Sequence, residues 1–284
     1  MTAPRAVRTP AGGLLWCLVL GLAGGAAAAQ PPAKADPPEE PKLLSGLIEK
    51  AVGWYDLFPD DTGAKMTPVP VLRWRNVVRG QEGEAMMVVW AHAGRPAAVA
   101  SIYPWEGKMI HEFDSLSRGA TLVARDGDAV VWAPGAAGVE FKAVPKAPAP
   151  AKTAPERLRQ MKALAEGFKA TMTGWAADDS DQEALRLLPR PLHRYDFTGV
   201  KDRDPTLLDG ALFAYVQGTD PEVVLALEAV GPAGKAEWQC AFARATSGGL
   251  EVRQGDDLVW AAKKHPANRD PKLPHFSALR LLDK

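Results

Sequence analysis

The chain predicts an α+β fold made of two tandem copies, each a helix followed by a five- to six-stranded antiparallel meander, the copies being related by a pseudo-two-fold. Three observations predict it. First, the stretch from Gly53-Trp54 to Pro68-Val-Pro70-Val-Leu-Arg73-Trp74 aligns without a gap on that from Gly174-Trp175 to Pro189-Arg-Pro191-Leu-His-Arg194-Tyr195. The offset of 121 residues rises to 125 where Glu84 to Trp90 meets Asp209 to Tyr215, and to 128 where Arg125 to Trp132 meets Arg253 to Trp260. Small drifts in a fixed period are what short loop insertions leave behind. Second, each copy opens on a helical stripe and continues in short segments rich in Val and aromatics, separated by Gly, Pro or Asp. Third, the connections are too short to hold crossover helices, so successive strands should pair antiparallel.

Taken in order, residues 1–29 read as a secretory signal peptide, with Arg5 and Arg8 ahead of an apolar run from Leu14 to Leu22 and a small-residue tail ending at Ala29. That run is too short for the ~20 residues of a bilayer span. Residues 30–41 form a proline-rich tether. Repeat 1 covers 42–143 and begins with a helix over 42–55, where Leu43, Leu44, Leu47, Ile48, Ala51 and Val52 share one stripe. Strands follow at Val69–Arg75, Ala85–His92, Ala97–Tyr103, Lys108–Ser115, Thr121–Arg125 and Ala129–Ala133. Residues 144–154 are a Pro/Ala linker. Repeat 2, 155–284, opens with a helix on which Leu158, Met161, Leu164, Ala165, Phe168 and Met172 line up. The strand at Ala85–His92 is apolar on both faces and should be interior. In Lys108–Ser115, Met109, His111 and Phe113 face the core, and Ile110, Glu112 and Asp114 face the other way.

Formal net charge is zero over 284 residues, and losing Arg5 and Arg8 with the leader makes the remainder slightly acidic. Nothing there favours nucleic acid or an anionic membrane surface. Cys17 goes with the leader, so Cys240 is left with no internal disulfide partner. The five histidines have no metal-ligand spacing, and no Gly-x-Ser-x-Gly elbow, phosphate loop or dinucleotide fingerprint is present. No metal and no cofactor is therefore expected. Asp178-Asp-Ser-Asp181-Gln-Glu183 lacks the glycine and closing glutamate of a calcium loop.

Candidate contact residues are few. Most tryptophans stand at repeat-matched positions, which suits packing; Trp105, in a Pro104-Trp-Glu-Gly turn, has no aromatic counterpart and reads as an exposed contact. Arg73 and Arg194 of the Pro-x-Pro-x-x-Arg element could hold a carboxylate or phosphate in a matched pair of sites, or make structural ion pairs beside edge strands. His92, His111, Glu112 and Asp114 are replaced in the second copy by Gln217, Cys240, Ala241 and Ala243, and such asymmetry marks ligand-binding candidates. An axis near the fourth strands would bring His111 to Cys240, although a cysteine between Trp238 and Phe242 suits inert core better.

The elements Arg186-Leu-Leu-Pro-Arg-Pro-Leu-His-Arg-Tyr195, Asp209 to Glu222 and Val259-Trp260 resemble those of a group of exported bacterial proteins that have no assigned activity. The resemblance covers most of the chain after the leader and implies a secreted globular protein; it brings no catalytic residue with it. The expected protein is exported, periplasmic or extracellular, and a non-catalytic binding or structural module of the cell envelope. Its expected partner is a polysaccharide, a peptide or an envelope protein. The alternative is an exported hydrolase with a carboxylate/histidine site at the inter-repeat cleft, and a third reading is strand addition at an exposed sheet edge.

Overall fold

Short segments of alternating burial dominate the chain, and the computed structural model is accordingly mostly β, with 51% of residues in strands, 9% helical and two helices among the described residues. It describes residues 40–60, 63–76, 83–173, 182–232, 234–265 and 269–282. The expected leader, tether residues 30–39, Trp175 and most of the acidic run from Asp178 lie outside the described residues.

The first half runs α1 (Glu40–Ala51), β1 (Asp56–Phe58), β2 (Pro68–Trp74), β3 (Ala85–His92), β4 (Arg95–Trp105), β5 (Lys108–Ser115), β6 (Val123–Asp126), β7 (Ala129–Trp132) and β8 (Lys142–Ala143). The second runs α2 (Ala154–Glu166), β9 (Phe168–Thr173), β10 (Gln182–Leu187), β11 (His193–Arg194), β12 (Leu207–Gln217), β13 (Asp220–Val230), β14 (Glu237–Arg244), β15 (Gly249–Gln254), β16 (Asp257–Ala262) and β17 (His275–Leu281).

The predicted fold class is overturned. Three antiparallel sheets that include a half-barrel replace the two tandem helix-plus-meander units. A three-stranded sheet has the order β1-β6-β7, a five-stranded sheet the order β17-β5-β4-β3-β2, and a nine-stranded sheet the order β16-β15-β9-β10-β12-β13-β14-β8 with β11 on β12. Sequence order fails as a guide because the strand after each helix pairs far along the chain. Asp56 to Phe58 of β1 faces Arg125 to Val123 of β6, and β9 lies beside β15. Further, β17 at the end of the chain joins β5, while Lys142 and Ala143 of β8 join Cys240 and Gln239 of β14.

The helices are also shorter than the periodicity predicts. α2 begins at Pro155 in its first turn, with Thr153 Oγ1 donating to Glu156 at 2.6 Å, and ends at Gly167. Beyond it Phe168 to Thr173 alternates buried and less buried positions, so Phe168 and Met172 belong to strand β9 rather than to the helical stripe.

Three cores result. One lies between α2 and the nine-stranded sheet and contains Met161, Tyr215, Trp238 and Phe242. A second, with Ile48, Trp90, Phe113 and Trp132, fills the space between α1, the three-stranded sheet and one face of the five-stranded sheet. The third joins the large sheets face to face: Met87, Val89 and Val99 meet Leu212, Ala214, Val224, Ala226, Ala241 and Ala243. β3 and β12 thus bury both faces, as their two-sided apolar pattern requires. At one end the sheets are tied by fully buried Glu228 of β13, which accepts Arg95 Nε (3.0 Å), Arg95 Nη2 (3.1 Å), Arg118 Nη2 (2.6 Å) and the Tyr195 hydroxyl (3.0 Å). At the other end they part, and the site lies there.

Candidate functional site

The floor of the site follows from strand register. Opposed residues on neighbouring strands share a face, and every second residue along a strand returns to it. On the face of the five-stranded sheet turned away from α1, four rows therefore run outward across β4, β5 and β17. The deepest is Val99–Asp114–His275, followed by Ser101–Glu112–Ser277, Tyr103–Ile110–Leu279 and, at the rim, Trp105–Lys108–Leu281. A buried charged row is thus succeeded by a polar, an apolar and an aromatic–cationic one.

The charged row is a closed ion cluster. His275 Nδ1 donates to Asp114 Oδ1 at 2.7 Å, and its Nε2 lies 3.3 Å from Glu112 Oε1. Glu112 also accepts the Ser247 hydroxyl and the Tyr103 hydroxyl, both at 3.3 Å. Burial raises the Asp114 carboxyl to about 6 against the pull of His275. Burial lowers the His275 pKa, but the two carboxylates outweigh it and bring that imidazole to about 10. At neutral pH the pair therefore stands as aspartate and imidazolium.

The opposing wall is made of connections. Arg244, half-buried at the end of β14, donates to the carbonyls of Thr246 (2.8 Å), Gly248 (2.6 Å) and Lys263 (3.0 Å). One guanidinium so fixes both the loop carrying Ser247 and the start of the segment carrying Lys264 and His265; the His265 N–H adds a bond to the Ser247 carbonyl at 2.8 Å. At the side, Asn76 Nδ2 donates to Asp220 Oδ2 at 2.7 Å, and Thr219 is bonded both ways to the Arg75 backbone. Between these walls is a cleft of about 640 Å³, whose lining includes Trp74, Tyr103, Trp105, Lys108, Glu112 and Arg269. Trp105 is 44% exposed and is the one exposed tryptophan among the described residues.

No protein-family model, no curated protein and no solved structure matches the chain.

The cleft gathers two of the seven residues selected from sequence, Trp105 and Glu112. Asp114 lies beneath it, bonded to His275. His111 is on the opposite face of β5, against α1: its Nε2 donates to the Ala51 carbonyl at 2.9 Å, and its ring stacks on Phe113 at 5.8 Å. Adjacent residues of a strand point to opposite faces, so His111 cannot share a pocket with Glu112. Burial holds it neutral, its pKa lowered to about 4. His92 is exposed at the far end of β3, roughly 30 Å along the sheet from the rim at ~3.3 Å per residue.

Both arginines are structural. Arg73 spans Glu49 of α1 and Glu84, and Arg194 joins Arg157 of α2 on the buried Asp209 carboxylate (2.6 and 2.8 Å). Cys240 is buried on β14 in a different core from His111, and burial pushes its thiol up to about 11, so the thiol–histidine pairing is not formed.

Sequence reading missed His275, Ser277, Arg244, Ser247 and Arg269. The signal for the first two is the alternation in His275-Phe-Ser-Ala-Leu after Pro274, a strand pattern with no counterpart earlier in the chain. Among the described residues, no group of three His, Cys, Asp or Glu side chains is disposed to hold a metal ion, and no helix is long and apolar enough to cross a membrane.

Proposed function

We propose that this protein is an exported, non-catalytic binding module whose ligand occupies the cleft between the five-stranded sheet and the wall fixed by Arg244. The observation that carries the reading is the pairing of an exposed tryptophan at the rim with a fixed polar floor in a concavity of ligand size. Buried and part-buried hydrogen bonds hold the walls, so little ordering is lost on binding. A cleft of this volume takes a short saccharide or a few side chains of a peptide rather than a folded partner. Export rests on the leader-like residues 1–29.

The catalytic alternative has a specific difficulty. Both ring nitrogens of His275 face carboxylates, and the imidazole is already protonated at neutral pH, so it is not poised as a general base.

The reading is tested with a library of fragments of mixed charge and polarity, followed by NMR with the Trp105 indole N–H as reporter. Hits should shift that resonance and be lost in Trp105→Ala, whose fold remains intact. Hits confined to other surfaces, or unaffected by the substitution, would overturn it.

A further inference from the structure

The charge at the mouth of the cleft is not balanced in the way its floor is. Glu112 and Asp114 are matched by the His275 imidazolium together with the neighbouring Arg244 guanidinium, and Asp220 is engaged by Asn76. Arg244 is held by three carbonyls behind the wall. That leaves Lys108 on β5 and Arg269 on the connection leading to β17, against Glu106, the one exposed acid lining the cleft among the described residues. Lys108 and Arg269 have no acidic partner among the described residues. These two cations come from segments far apart in the chain, and the fold brings both to the same opening as Trp105.

Below them the chemistry changes by row. Tyr103, Trp74, Ile110 and Leu279 offer aromatic and apolar surface; Trp74 and Tyr103 lie with ring centroids 6.0 Å apart. Deeper, the Glu112 carboxylate accepts only long bonds of 3.3 Å from its neighbours, and the Ser277 and Ser247 hydroxyls beside it both donate and accept. A matching ligand carries an acid at one end, a flat C–H face in the middle and hydroxyl groups at the inner end.

We infer that the ligand of this cleft is an acidic saccharide, its ring face on Trp105 and Tyr103, its hydroxyls on Glu112 and Ser277, and its carboxylate between Lys108 and Arg269. The inference rests on the binding reading above and names the ligand class for that same site. A peptide end or a fatty acid would also supply the carboxylate, but neither places several hydroxyl donors against Glu112.

Calorimetric titration of the whole chain with digalacturonate, the neutral digalactoside and octanoate tests it. Digalacturonate should bind about tenfold or more tighter than the neutral sugar, the scale of one charge-assisted contact, and the preference should shrink between low and high salt. The Lys108→Ala, Arg269→Ala double variant should lose the preference for the acid over the neutral sugar, and Trp105→Ala should weaken both sugars. Arg269 is exposed and Lys108 half-buried, and an unchanged melting curve verifies the fold of the double variant.

Equal affinity for the two sugars overturns the assignment of charge. Tighter binding of octanoate than of digalacturonate overturns the assignment of a polyol, and no binding of either sugar below about 10 mM overturns the class. In each case a fragment hit on Trp105 would leave the binding reading standing, so the two failures are distinguishable.

Discussion

Replacing Glu228 by Gln should loosen the joint between the two large sheets. The carboxylate is fully buried and accepts four hydrogen bonds, two from Arg95, one from Arg118 and one from Tyr195. Breaking a buried ion pair from one side costs about 3–5 kcal/mol, because the partner charge is left without compensation. Here the arginines can partly rehydrate, since their side chains are 22% and 41% exposed, and the glutamine keeps one acceptor oxygen. The expected loss is therefore about 3 kcal/mol, near the lower bound. At ~2–4 °C per kcal/mol for a chain of this size, the melting temperature should fall by about 6–12 °C. Urea titration followed by circular dichroism measures the first quantity, and a thermal scan the second. Asp204→Asn is the control: Asp204 meets Arg95 at 3.3 Å near the surface and should cost below about 1 kcal/mol. A Glu228→Gln loss under about 1 kcal/mol, or one equal to that of the control, would refute the view that this carboxylate joins the sheets.

His111 is neutral in the fold, with a pKa near 4 against 6.5 when unfolded. As pH falls through that window the unfolded chain gains a proton that the folded one does not, so stability should drop by up to about 3 kcal/mol; His111→Gln should flatten urea midpoints between pH 7 and 4.5, and an unchanged slope would assign the effect elsewhere. A Cβ at Gly138 would lie 1.9 Å from the Ser115 carbonyl oxygen, so Gly138→Ala should destabilise by about 3 kcal/mol or more, and a wild-type melting curve would contradict the packing of that segment. Cys240, buried and with its thiol pushed up to about 11, should react with a disulfide reagent far more slowly in the native protein than in urea; equal rates would show the thiol to be open.

Local pattern carried the reading as far as single strands. Ala85–His92 and Lys108–Ser115 appear with their predicted bounds, because short apolar-rich or alternating runs flanked by Gly or Ser leave few other conformations. Of the tryptophans expected to pack, Trp74, Trp90, Trp132 and Trp238 are buried, Trp54 and Trp260 are half-buried, and Trp175 lies outside the described residues. Alternation also separated His111 from Glu112 in advance, and grouping them in one pocket ignored that parity. What could not be read locally was pairing. β8 has two residues beside a proline-rich stretch, and nothing in Lys142–Ala143 specifies β14 as its neighbour. The same holds for β17, whose partner β5 is about 160 positions away in sequence, as in the 161-residue separation of His275 and Asp114. Since His275 and Ser277 come from β17, and Lys264 and Arg269 from the connection leading to it, half of the cleft was invisible to any reading that kept each half of the chain to itself.

The cleft is a consequence of how the sheets can pack. Where Met87, Val89 and Val99 oppose the alanines of β12, β13 and β14, small side chains let the sheets close and exclude water. One step outward along β4 and β5 the facing row becomes Ser101, Glu112 and Ser277. An apolar sheet laid over that row would leave a carboxylate and hydroxyls without partners, at a cost that contact area does not repay. The nine-stranded sheet ends there instead, and loops rich in backbone carbonyls, held by Arg244, supply the wall. The same polar row that stops the sheets from closing also gives the opening its floor. Replacing Glu112 and Asp114 by Leu together with His275 by Phe removes all three charges of the cluster; it should therefore draw the wall inward and abolish ligand binding in calorimetric titration, while stability in urea is retained or raised, as for other buried ion clusters exchanged whole for apolar groups.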